Sequence, residues 1–104
     1  MLFRSYEPFA QALLAEGLIA ADRLDEAHDT LVRALAIVET TGERFYSAEL
    51  LRLQSEIAIK YHDRSNAEQC LRQSIEIARG QQAKLLELRS SASLRQLNDV
   101  AAPK

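Results

Sequence analysis

The sequence predicts an all-α fold, an antiparallel solenoid of helix pairs, with about five helices in 104 residues. Apolar residues recur at i, i+3, i+4 and i+7 almost throughout, which is the pattern of amphipathic helices, and no segment alternates like a strand. The chain also repeats itself forty residues on, as shown by the pairs Ala27/Ala67, Leu31/Leu71 and Ala34/Ser74. A repeat of this length indicates stacked helix pairs, because one pair cannot bury its apolar face alone.

The first predicted helix covers about residues 5–21. Pro8 is tolerated in the first turn, where no intrahelical hydrogen bond is lost. Gly17 lies inside the helix, at a cost of about 1 kcal/mol relative to Ala. We expect that its missing side chain lets a neighbouring helix approach.

Short turns separate four further helices, predicted at about 25–41, 43–61, 64–79 and 83–98. Asp25 and Glu26 place negative charge at the start of the second helix, which ends near Gly42. Asp63 is the expected N-cap of the fourth helix. Residues 1–98 should form a single helical repeat domain, because no linker-like stretch interrupts them, and 99–104 should fray because they have little to bury.

The composition excludes several classes of function. Thirteen basic and fifteen acidic residues are interspersed and give a net charge of −2. The basic stripe of a nucleic-acid-binding protein is therefore absent, and we expect no nucleic-acid partner. No apolar stretch is long enough to span a membrane and the N-terminus does not resemble a signal peptide, so we expect a cytoplasmic protein with no membrane partner.

The residues that usually support catalysis or metal binding are sparse. The three glycines are isolated, so no phosphate-binding loop is present. Cys70 has no second cysteine, and His28 and His62 do not have metal-ligand spacing. A nucleophilic pair of Cys70 with His62 is conceivable, but Cys70 fits a partly buried helix position better. We expect no catalytic residues, no metal and no cofactor, and hence no enzyme.

The repeat resembles the tetratricopeptide pattern. The first copy fits through Leu14, Ala15, Leu18, Ala27, Leu31 and Ala34, and the second more loosely through Leu51, Ser55, Ala58, Ala67, Leu71 and Ser74. Small residues in this pattern let helices approach where they cross. The period is nearer 40 residues than the usual 34 or so and the helix-ending proline is missing, so the chain is tetratricopeptide-like.

Several runs are also similar to the C-terminal repeat region of large bacterial regulators. They are YEPF (6–9), ALLAE (12–16), RLDEA (23–27), ETTGERF (39–45), AEL (48–50), QQAK (81–84) and LELR (86–89). In that family a class III adenylate/guanylate cyclase or a winged-helix domain precedes an ATPase module and then helical repeats. The resemblance covers about residues 6–97, with departures at Gly17, Asp22 and Gly80. It implies a sensory or protein-binding segment in bacterial signalling or transcriptional regulation.

The leading candidate site is the concave face formed by the first helix of each pair. By the tetratricopeptide register, its partner-binding residues would be Glu16, Ile19, Glu49, Arg52, Glu56, Lys60, Arg89 and Gln96. We expect this face to hold an extended or helical peptide. Alternatively, charged pairs such as Arg52/Glu56 only stabilise a solvated helix, by about 0.2–0.5 kcal/mol each.

A second candidate site lies at the N-terminus, where Leu2, Phe3, Tyr6 and Phe9 are crowded without a polar cap. Such a patch either folds back onto the first helices or mediates self-association as a two-fold homodimer. The sequence thus predicts a non-catalytic protein–protein interaction scaffold. The alternatives are a homo-oligomerisation or structural domain, and a sensor of a small peptide or metabolite.

Overall fold

The described part of the chain folds into five α-helices and contains no strand, which confirms the all-α prediction. The computed structural model describes the backbone of residues 2–41 and 46–101, and the side chains of 10–40 and 46–99. The helices are α1 (Leu2–Ala20), α2 (Leu24–Thr41), α3 (Ser47–Lys60), α4 (Arg64–Gly80) and α5 (Lys84–Ala101). Over these residues, none of the helices is both long and apolar enough to cross a membrane.

The helix ends differ from the predicted ones by a few residues. α1 begins at Leu2 rather than near residue 5, so Pro8 lies in its second turn instead of its first and removes one intrahelical hydrogen bond. α5 continues to Ala101, three residues into the segment predicted as a frayed tail, because no glycine or proline interrupts that stretch. The expected helix stop at Gly42 lies outside the described residues.

Three interhelical turns share one backbone geometry. A non-glycine residue has a positive φ in each of them, with 64° at Asp22, 63° at His62 and 58° at Gln82. The amide that follows donates 2.8 Å hydrogen bonds to the carbonyl five residues back, as in Arg23 to Leu18, Asp63 to Ala58 and Ala83 to Ala78. This is the Schellman motif. Because Asp22 and His62 are forty residues apart, the sequence repeat is also a repeat of backbone geometry.

Two local predictions had opposite outcomes. The N-cap prediction is confirmed, because the Asp63 carboxylate accepts a 3.3 Å hydrogen bond from the backbone N–H of Asn66. The expectation for Gly17 is wrong, because a Cβ added there would meet no atom within 4 Å. Gly17 is exposed on α1 and therefore does not serve a close helix contact.

The central helix of the fold is α3, which contacts each of the other four helices. One apolar cluster joins it to α1 and α2 and contains Ala12, Ala15, Ile19, Ala27, Leu31, Ala34, Val38, Leu50, Leu53 and Ile57. A second cluster joins it to α4 and α5 and contains Ala58, Ala67, Leu71 and Leu97. The pattern of buried and exposed positions over 31–40 recurs position by position over 71–80, so the two halves bury equivalent faces.

A buried hydrogen-bonded bridge joins α3, α4 and α5. The Ser74 hydroxyl oxygen lies 2.6 Å from the carbonyl oxygen of Ala48 and 2.6 Å from the hydroxyl oxygen of Ser90. A carbonyl only accepts, so Ser74 donates its single proton to Ala48 and Ser90 donates to Ser74. Both serines are buried, and the bridge therefore fixes the position of α5 against the two preceding helices.

Candidate functional site

A cleft of about 530 Å³ lies between α1 and α5 and beside the start of α3. We call it the α1–α5 cleft. Its lining residues are Ala12, Leu13 and Glu16 of α1, Tyr46 and Glu49 at the start of α3, and Gln81, Gln82, Ala83, Lys84, Leu85, Leu86 and Arg89 of the α4–α5 turn and α5. The first, third and fifth helices of the chain thus contribute to the cleft.

Leucine side chains give this cleft its apolar character. Leu13 on α1 is 54% exposed and Leu85 on α5 is 69% exposed, while Leu86 on α5 is partly buried. Covering a leucine side chain contributes about 1.5–3 kcal/mol. The α1 and α5 sides of the cleft therefore both present apolar surface that a bound segment could cover.

A network of charged side chains lies at the α3 side of the cleft. The Arg52 guanidinium donates to both carboxylate oxygens of Glu49, at 2.7 and 3.1 Å, and to Glu56 at 2.7 Å. Arg89 on α5 approaches the same Glu49 carboxylate at 3.5 Å. The hydrogen bond to Glu49 is the main reason that the pKa of Arg52 is raised above its ordinary value. Arg52 is therefore a constitutively charged structural residue whose donors are already engaged.

Two other charged residues of the cleft have no interaction partner among the described residues. Glu16 on α1 and Lys84 on α5 are both exposed, and neither has an ion-pair or hydrogen-bond partner among the described residues. One carboxylate and one ammonium group thus lie on different helices of the same apolar cleft. This arrangement can orient a bound segment that carries complementary charges.

The predicted partner-binding residues separate into three groups. Those that line the cleft together are Glu16, Glu49 and Arg89. Those that are buried are Ile19 and Arg52. Those that lie outside the cleft lining are Glu56, Lys60 and Gln96.

The two buried residues differ from the expectation that they face a partner. Ile19 is 4% exposed because α1 buries the stripe that also contains Ala12 and Ala15. Arg52 is 7% exposed, and its guanidinium group forms ion pairs with Glu49 and Glu56. Arg52 lies forty residues after Ala12, which is buried to the same extent. The repeat therefore indicated that the position of Arg52 is buried.

The second candidate site lies at the start of α1. Residues 2–9 form part of α1. The side chains of Leu2, Phe3, Tyr6 and Phe9 lie outside the described residues. Self-association through them stays a prediction.

Sequence reasoning missed several cleft residues, above all Leu13, Lys84 and Leu85. The difficulty was greatest on α5, whose leucines occur at 85, 86, 88, 94 and 97. These positions cover more than one side of a helix, so periodicity alone does not tell which of them are buried. The available signal was the neighbouring pair Leu85-Leu86, because adjacent helical residues point about 100° apart and a narrow buried stripe does not hold both.

A second, more polar cleft of about 420 Å³ lies where α2, α3 and α4 meet. Tyr61 donates a 2.6 Å hydrogen bond to Asp25 there, and this bond is the main cause of a raised pKa of the Tyr61 hydroxyl. Asp63, which also lines this cleft, is the N-cap of α4. Both aspartates therefore already have structural partners.

The described residues hold no group of three or more His, Cys, Asp or Glu side chains arranged to bind a metal ion. Cys70 is buried in α4, and burial, followed by the charge of Asp63, raises the pKa of its thiol. A reactive cysteine has a lowered pKa, so the surroundings of Cys70 favour the protonated, unreactive thiol.

The chain matches no protein-family model, no curated protein and no solved structure.

Proposed function

We propose that this chain is a non-catalytic protein–protein interaction scaffold that binds a segment of a partner protein in the α1–α5 cleft. The observation that carries the proposal is the combination of two exposed leucines, Leu13 and Leu85, with two charged residues that have no partner among the described residues, Glu16 and Lys84. Contiguous exposed apolar surface edged by charge is typical of protein interaction sites.

We propose further that the helices form an antiparallel, tetratricopeptide-like solenoid. Two contacts support this order. Tyr61, just after α3, bonds to Asp25 near the start of α2, and Arg64 at the start of α4 bonds to Asn98 near the end of α5, at 3.2 Å. The recurrence of turns and burial at forty residues supports stacking of equivalent pairs.

The chemistry of the cleft favours a peptide segment with mixed character. Apolar side chains of the segment would cover Leu13 and Leu85, a basic residue would pair with Glu16, and an acidic residue would pair with Lys84. Leu13 is 54% exposed and Leu85 is 69% exposed. Covering the exposed part of both contributes about 2–4 kcal/mol before the entropy cost of association is subtracted, so binding should be weak and reversible. Such affinity suits a regulatory contact.

The proposed setting is bacterial signalling or transcriptional regulation inside the cell. It rests on the similarity of the runs within residues 6–97 to the repeats of large bacterial regulators. In that setting the chain would contribute recognition, and another protein or domain would contribute chemistry or DNA binding.

The test is a peptide selection followed by binding measurements on matched variants. Peptides would be selected from a displayed library on the wild-type protein. They would then be measured against a cleft variant, Leu13→Ser with Glu16→Lys, and against a control variant, Leu14→Ser with Arg33→Glu. Leu14 is exposed to a similar extent and, with Arg33, lines a different surface of α1 and α2.

The expected result is that the cleft variant loses at least about tenfold in affinity, which corresponds to about 1.4 kcal/mol, while the control stays within about twofold. Equal losses in the two variants, or an affinity that neither variant changes, would contradict the proposal. So would a selection that yields no binding peptide.

A further inference from the structure

One side of α5 carries a regular stripe that points away from the core. Leu85, Leu88, Ala92, Arg95 and Asp99 follow one another at alternating spacings of three and four residues, and all are exposed. We call this stripe the α5 outer face. Leu85 is 69% exposed and Leu88 is 64% exposed. The alternating spacing is that of a seam between two packed helices.

The equivalent face of α3 shows what such a stripe does within this fold. Forty residues before Leu88, Ala92 and Arg95 stand Ala48, Arg52 and Ser55, and all three are buried. Ala48 receives the hydrogen bond from Ser74 of α4, so this face of α3 is covered by the helices that follow it. On α5 the corresponding residues Leu88, Ala92 and Arg95 are all exposed, Leu88 to 64%.

The charges around the α5 outer face are unbalanced. Lys84 and Arg95 are exposed along it, as is Arg89, which is already paired at 3.5 Å with Glu49, whereas Asp99 is its single acidic residue. The other carboxylate of α5 belongs to Glu87, which is largely buried and held at 3.0 Å by Arg79. The chain as a whole has a formal net charge of −2. This surface, in contrast, is apolar along its centre and positively charged along its edges.

We propose that the α5 outer face docks an acidic amphipathic helix of a partner protein. The leucines of the face would pack into the apolar stripe of that helix, as ridges pack into grooves. Lys84 and Arg95, which have no ion-pair partner among the described residues, would pair with its carboxylates. The complementary partner is therefore a helix with leucine-like residues at the same spacing and Glu or Asp beside them.

A second copy of the chain fits this face less well. Parallel pairing of two α5 helices would bring Arg95 against Arg95 and Asp99 against Asp99. Antiparallel pairing that seats Leu88 against Ala92 would bring Arg95 close to Lys84 of the other copy. Like charges meet in both cases, which is unfavourable. The charge pattern therefore favours an acidic partner.

The α5 outer face is distinct from the α1–α5 cleft. Leu88, Ala92 and Arg95 do not line the cleft, and only Leu85 and the neighbouring cations are shared. The proposal therefore does not depend on the cleft binding a peptide. The two surfaces can be tested with separate variants.

The test uses two fluorescent synthetic peptides that carry leucines at the same helical spacing. Glu flanks the leucines in one peptide, and Lys flanks them in the other. Fluorescence anisotropy would measure the Kd of each for the wild-type protein. We expect the acidic peptide to bind at least about tenfold more tightly, with an advantage that decreases as salt screens the charges. Leu88→Ser and Arg95→Glu should each weaken the acidic peptide about tenfold or more, which is about 1.4 kcal/mol.

The matched controls are Val32→Ser and Arg33→Glu on α2, which repeat the two changes at other exposed positions. They should leave the Kd unchanged, and so should the cleft variant Leu13→Ser with Glu16→Lys. Loss of the library-selected peptides in that cleft variant would concern the cleft alone. The proposal is overturned if the two peptides bind equally, if neither binds, or if the α2 controls weaken binding as much. It is also overturned if the free protein forms a dimer that Leu88→Ser converts to a monomer, because the face would then belong to a second copy.

Discussion

The hydrogen bonds of the serine bridge should stabilise the position of α5, which contributes to both proposed surfaces. The size of this stabilisation can be predicted from the bonds that each substitution removes. Ser74 donates to the Ala48 carbonyl and accepts from Ser90, each at 2.6 Å. Ser74→Ala removes both hydrogen bonds, at about 1 kcal/mol each, and should lower the free energy of unfolding by about 2 kcal/mol. Alanine fits the site, because Ala34 occupies the equivalent position forty residues earlier and is fully buried.

The second half of the cycle separates the two bonds. Ser90→Ala removes only the bond from Ser90 to Ser74 and should cost about 1 kcal/mol. The double variant loses the same two bonds as Ser74→Ala and should cost about 2 kcal/mol, so the two effects should fall short of additivity by about 1 kcal/mol. If the Ser90 hydroxyl finds no other acceptor in Ser74→Ala, the cost of that single variant rises further.

Urea unfolding followed by far-ultraviolet circular dichroism measures these differences, provided that the m-value is unchanged. Ser65→Ala, at an exposed position near the start of α4, is the matched control. Combined with Ser90→Ala it should be additive within about 0.5 kcal/mol. A loss from Ser90→Ala that equals or exceeds the loss from Ser74→Ala would refute the assigned direction of the bonds. Strict additivity in the bridge pair would refute the Ser74–Ser90 bond itself.

Three further predictions concern single positions. Gly17→Ala should raise the free energy of unfolding by about 1 kcal/mol, because helix propensity improves and the added Cβ meets no atom within 4 Å; an unchanged urea midpoint would contradict it. His62→Gly and Gln82→Gly should each raise it by about 1 kcal/mol, because glycine adopts their positive φ without strain; lower melting temperatures would contradict this. Arg52→Ala should lower it by about 3 kcal/mol, because Glu49, whose side chain is 16% exposed, loses its bidentate partner; a loss below about 1 kcal/mol would show that the network contributes little.

The helices could be predicted from the sequence because their inner faces use the same residue types in both halves. Ala27 and Ala67 occupy equivalent positions in α2 and α4, and both are fully buried. The N-cap at Asp63 could also be predicted, because a carboxylate just before a helix satisfies a free backbone N–H. Both inferences depend on interactions within one helix or one repeat.

The candidate sites were harder to predict because exposure depends on which helices lie next to one another. Ala48 and Leu88 are equivalent by the repeat, but Ala48 is fully buried beside α4, whereas Leu88 is 64% exposed. Arg52 looked like a surface charge by residue type, whereas its position is an inner one and two glutamates make its burial possible. Periodicity identifies the faces of a helix, and tertiary packing decides which of them remain open.

Binding of a protein segment in the α1–α5 cleft can be observed directly by NMR. Backbone amide chemical shifts would be recorded for the protein alone and with a peptide selected on it. We expect the shift changes to concentrate within residues 12–16, 46–49 and 81–89, which include the cleft lining. Shift changes that concentrate on α2 and the middle of α4 instead, or no shift changes at saturating peptide, would contradict binding in the cleft.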